Sequence, residues 1–144
     1  MANSLDDLLD DAKKKGSELW SSIKSSGKDK LKKVVQNLND ALPEIEAAGF
    51  ELVRLDVDIA LLPRIFARFK QVRIISDTAQ ETMLTKTKKN RFLNFILLGL
   101  FKAASVKNEI KIDQMDLKEI ELEIGLTPSA KLIFRREDRL KLLE

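Results

Sequence analysis

Two stretches of this chain, 65 residues apart, can be laid over one another without a gap, and that constrains the fold more than any other feature. Residues 50–70 and 115–135 match Leu52 to Leu117, Leu55 to Ile120, Val57 to Leu122, Ile59 to Ile124, Pro63 to Pro128 and Phe69 to Phe134. Acids coincide as well, Asp56 with Glu121 and Asp58 with Glu123. Apolar and polar positions alternate, the period of a strand with one buried face. Alternation alone does not place a proline at the same turn in both copies. The pattern therefore reads as a strand, a proline turn and a returning strand, used twice. An apolar helical segment precedes each copy, so the unit is a helix and a hairpin, over about 31–75 and 91–136. Two such hairpins side by side predict one antiparallel sheet of four or five strands, related by an approximate two-fold axis.

The finer expectations follow from the alternation. Val53, Leu55, Val57, Ile59 and Leu61 form the buried row of the first strand, and Ile65, Ala67 and Phe69 that of the second. Val72 and Ile74 continue inward after a one-residue shift, which predicts a bulge near Lys70-Gln71. A loop at Leu62-Pro63-Arg64 pairs Val57 with Phe69 and Ile59 with Ala67. The same register sets Asp58 against Arg68, Asp56 against Lys70 and Glu121 against Arg135 on the outer face. Cross-strand pairs of that kind contribute roughly 0.2–1 kcal/mol each, which gives the carboxylate rows a structural purpose. Phe66 and Ile133 fall among them, facing outward, and mark a place where something covers the sheet.

The helices are read from their 3.6-residue period. Leu5, Leu8, Leu9, Leu19, Trp20 and Ile23 make one stripe, with Ser4 and Asp7 as a capping box. Ser25-Ser26-Gly27 breaks it. Residues 1–28 are thus expected to be an amphipathic arm, open or exchangeable, on a single α+β domain at 29–144. A second helix carries Leu31, Val34, Val35, Leu38, Ala41, Leu42 and Ile45. Pro43 should kink or restart it, and Gly49 should cap it. Residues 78–91 are ambiguous between loop and helix. Phe92–Val106 is apolar nearly all round, which predicts a helix covered on two sides.

Composition limits the chemistry. The 144 residues, one domain's length, include no Cys, His or Tyr. Thiol chemistry, the usual neutral-pH base and the usual metal ligand are thereby missing. No phosphate loop or nucleophile–base pair is present, so the chain reads as a non-enzyme with no cofactor and no metal. Its formal charge of +3 is uneven. Residues 51–112 hold 12 basic and 6 acidic side chains. Arg68, Lys70, Arg73, Lys86, Lys88, Lys89 and Arg91 are the candidate anion-binding set. The Met1–Asp7 start lacks the pattern of a signal peptide, so a cytoplasmic setting is expected. The preferred function is a non-catalytic interaction module. It binds a protein partner or another copy of itself through Leu5, Leu8, Leu9, Leu19, Trp20, Ile23, Phe66 and Ile133. A carrier of an apolar ligand or lipid, held between the helix at 92–106 and the sheet, is the alternative. A membrane surface is possible, and weak, sequence-independent nucleic-acid binding ranks third.

Overall fold

The computed structural model describes residues 5–22, 27–60 and 62–136. Two helices come first, α1 (Leu5–Ser22) and α2 (Gly27–Ala47). A hairpin follows, β1 (Phe50–Asp58) and β2 (Arg64–Gln71). Helices α3 (Asp77–Lys86) and α4 (Arg91–Ser105) lead to a short 3-10 turn (Val106–Asn108). A second hairpin, β3 (Met115–Ile124) and β4 (Ser129–Arg136), completes the order. The architecture is α+β, with four antiparallel strands in the order β1-β2-β3-β4.

Both hairpins form where the alternation places them, and their registers coincide at the 65-residue offset. Leu52 faces Phe69 and Leu117 faces Phe134; Val57 faces Ile65 and Leu122 faces Ala130. Each outgoing strand also carries an extra residue at the equivalent point, Val53 in β1 and Lys118 in β3. Pro63 and Pro128 each stand directly before the returning strand.

Several finer expectations are corrected. The bulge lies at Val53 on β1, not at Lys70-Gln71. It breaks the inward row: Leu52 and Leu55 are half-buried, whereas Val53 and Val57, both expected in the buried row, are 45% and 42% exposed. The strand ends at Asp58, leaving Ile59 in the loop at 81% exposure, and Val72 and Ile74 are exposed beyond β2. Val57 pairs with Ile65 rather than Phe69, and Asp58 with Arg64 rather than Arg68. Glu121 faces Lys131 rather than Arg135. The observed and expected registers differ by an even number of residues, so both keep the same faces together, and alternation cannot separate them. The symmetry is corrected too. All neighbouring pairs are antiparallel, so β1 runs parallel to β3 and β2 to β4. A step across the twisted sheet carries one hairpin onto the other; a two-fold axis would carry β1 onto β4.

The helices cover one face of the sheet. Ile65, Ala67 and Phe69 from β2 and Ile120, Leu122 and Ile124 from β3 form its buried floor. Helix α4 packs on β3 and β4 and on α1, α2 and α3, which buries Phe92, Leu93, Phe95, Ile96, Leu97, Leu100 and Phe101. Helix α2 packs on β1 and α4, and it runs on through Pro43 instead of breaking there. The ambiguous stretch resolves into α3, capped by Ser76, and a turn to Asn90, whose side chain accepts from the Leu93 amide and caps α4.

The amphipathic arm is docked. Trp20 is 6% exposed and belongs to the same buried cluster as α4 and the sheet, with Leu19 packed against it. Gly16 permits the close approach, because a Cβ there would run into the Phe95 ring. The side chains of Leu5, Leu8 and Leu9, and all of Ile23, lie outside the described residues.

The corner from α2 to β1 depends on Gly49, whose φ of 98° suits glycine. Its carbonyl accepts from the Val72 and Arg73 amides, and Arg73 Nη2 donates to the Glu46 and Ala47 carbonyls at the end of α2. A side chain at residue 49 would meet the Arg73 carbonyl, whereas one at Gly99 would make ordinary contact with Leu122 at 3.5 Å. Gly49→Ala should therefore lose about 2 kcal/mol. Gly99→Ala, inside a helix, should be neutral or gain up to about 1 kcal/mol. Urea midpoints of the two variants check the opposite signs.

Candidate functional site

The outer sheet face is a lattice of compensated charge. Side chains from four strands line up as Arg54, Arg68, Glu121 and Lys131 across one row. Glu121, 7% exposed, sits at its centre. It accepts from Arg68 Nη2 at 3.1 Å and pairs with Lys131 Nζ at 3.5 Å. Arg64 bridges Asp58 at 3.1 Å and Glu123 at 3.4 Å, and Arg135 reaches Glu119 at 3.1 Å. Phe66 and Ile133 lie on this face, half-buried, and Phe66 has the Arg64 guanidinium 5.2 Å from its ring centre. Among the described residues, no group of three or more acidic side chains is arranged to hold a metal ion.

The seven candidate anion-binding residues are not brought together. Arg68 and Lys70 belong to the outer face, opposite Glu121 and Glu119. Arg73 is tied to the end of α2. Lys86, Lys88, Lys89 and Arg91 lie around the turn from α3 to α4, in the helical layer. No helix among the described residues is long and apolar enough to cross a membrane.

The structure adds a groove of about 540 Å³ between α1, α3 and α4. Leu19, Leu84, Phe95 and Leu98 supply its apolar lining, and Lys15, Lys88 and Arg91 its cations, against a single acid, Glu18. Asn94 Nδ2 donates to the Leu84 carbonyl at 2.9 Å and to Thr87 Oγ1 at 3.2 Å, which fixes α3 against α4 at the groove wall. The groove thus lies on the helical side of α4; at the place between that helix and the sheet where the sequence predicts an apolar site, Phe95, Gly99, Leu122, Pro128 and Ala130 line a much smaller hollow. Leu84 was hidden in a stretch without clear periodicity, and Lys15 and Glu18 come from a helix expected to stand away.

A second surface is the open edge of β1 with the adjoining hairpin tips. Among the described residues, strand β1 has a neighbour on one side only. Val53 and Val57 are exposed along it; Ile59, Leu62 and Leu126 are exposed in the two tips, which stand at the same end of the sheet. The exposed pair Arg54 and Asp56, 3.1 Å apart within the strand, completes the edge. The alternation places Ile59 in a buried row, but β1 ends at Asp58 and Ile59 is 81% exposed beyond it.

No protein-family model, curated protein or solved structure matches this chain.

Removing Glu121 should expose the dependence of the outer row on one carboxylate. Arg68 Nε is already buried without a hydrogen-bond partner, so Arg68 without Glu121 is a poorly compensated charge. Glu121→Ala should cost about 2 kcal/mol. Adding Arg68→Met should recover more than half of that, because an apolar replacement relieves the stranded charge. Equilibrium unfolding of both variants measures it.

Proposed function

We propose that the chain is a non-catalytic interaction module that pairs with a second copy of itself along the β1 edge. The observation that carries this reading is the self-complementary edge. Open edges invite pairing, and proteins usually blunt them with bulges and charge. Here the bulge at Val53 and the alternating Arg54 and Asp56 restrict the edge to few partners. Setting Leu55 on a two-fold axis against Leu55 of a second copy places Arg54 opposite the other Asp56, twice. Val57 then meets the exposed Val53 of the second copy. The other edge, β4, presents Lys131 and Arg135 outward, so two β4 strands would repel.

The equal registers and paired bulges support reading the molecule as one helix–hairpin unit used twice. In this reading the repeat builds a sheet with two unlike edges, one suited to an isologous contact. Helix α1 is held to its own domain at Trp20, which favours the sheet edge over the arm as the contact in this reading. The connections preceding the two hairpins differ, residues 48–49 in one copy and 106–114 in the other.

Sedimentation equilibrium of the purified chain should show a monomer–dimer equilibrium. Arg54→Asp and Asp56→Arg, each alone, set like charges across the contact and should shift the chain to monomer. Mixing the two variants restores opposite charges at both positions and should regenerate a heterodimer. A monomer at all concentrations, growth beyond a dimer, or a dimer indifferent to both substitutions would refute the reading.

A further inference from the structure

We infer that the groove between α1, α3 and α4 binds a single-chain anionic amphiphile, such as a free fatty acid. Its apolar lining comes from three helices, with Phe95 and Leu98 of α4, Leu84 of α3 and Leu19 of α1. Small-molecule sites are mostly apolar hollows of about 300–1,000 Å³ with a few polar groups that fix orientation, and this one falls in that range at about 540 Å³.

Charge selects the head group. Lys88 and Arg91 stand together at the N-terminal end of α4, where the helix dipole adds positive potential. Among the described residues neither has a carboxylate within salt-bridge distance. Lys15 is partly answered by Asp11 at 3.4 Å, and Glu18 is the groove's own acid. Two uncommitted cations at one end of an apolar trough fit a carboxylate with a hydrocarbon tail. Arginine supplies a planar fork for the carboxylate and lysine a point charge beside it. A neutral lipid would leave these charges unanswered, and a cationic one would be repelled. This inference does not depend on pairing at β1, which lies at an edge of the sheet away from α1.

Isothermal titration of the purified full chain with dodecanoate, below its self-aggregation concentration, tests the inference. One molecule should bind per chain. Shortening the tail by two carbons should weaken binding about tenfold. Dodecyltrimethylammonium, with the same tail and the opposite charge, should bind at least about tenfold more weakly, the order expected for a charge-assisted contact. Lys88→Glu with Arg91→Glu changes two exposed residues and should invert that preference, which a merely structural role would not produce. Absence of saturable binding would overturn the inference, as would binding indifferent to head-group charge in both chains. Attachment to phosphatidylglycerol vesicles without binding of free dodecanoate would overturn it as well, assigning the cations to a membrane surface.

Discussion

Helix α4 has almost no side to give to water. Nine of its fifteen residues are buried, and each large aliphatic or aromatic side chain contributes roughly 1.5–3 kcal/mol only when covered. A sheet covers one side of a helix, so the rest of the fold has to supply the remainder. Helix α2 does this from the β1 side, where Phe50 meets Phe101 with ring centres 6.0 Å apart. Helix α1 does it through Trp20 and the Gly16–Phe95 contact, and α3 adds Met83 and Leu84. Helices α1 and α2 are longer than α4 itself, whereas α3 has 10 residues and is bound by its packing on α4 more than by its own helical preference, since helices that short are marginal alone.

The same demand explains which features of the sequence were readable. The period-two runs located four strands, and the all-round apolarity of residues 92–106 located the central helix. Gly49 announced its own role, because few other residues accept its backbone angle. The register was not readable, because any even shift keeps Ile65, Ala67 and Phe69 on the helical side. The bulge at Val53 was hidden for a related reason: a single valine fits either row until the partner strand is placed. The destination of α1 was hidden because an apolar stripe states a need for cover and not its source. Leu19 and Trp20 are as well suited to a foreign surface as to α4. The groove was least visible, since its walls come from three segments joined only by tertiary packing.

The two faces of the sheet divide the tasks. The helical face spends its surface on stability and leaves a hollow at the junction of α1, α3 and α4. The outer face satisfies its charges internally, with Glu121 held between Arg68 and Lys131. A surface so compensated has little field left to attract a charged partner. What remains is the periphery: the β1 edge, the hairpin tips with Ile59 and Leu62, and the cations at the start of α4. These are places where backbone, apolar surface or charge goes unanswered among the described residues. The proposed contacts therefore fall on the rim of the fold.

The central claim is that α1 completes the core over α4. Equilibrium urea unfolding of a chain that begins at Gly27 tests it most directly, against the full chain under identical conditions. Loss of the Trp20 contact alone should cost about 3 kcal/mol or more, and α4 would then expose Phe95. A large fall in the midpoint or the loss of a cooperative transition is expected. A shortened chain that unfolds cooperatively at the same midpoint would contradict it, and would show that α2, α3 and the sheet already satisfy α4.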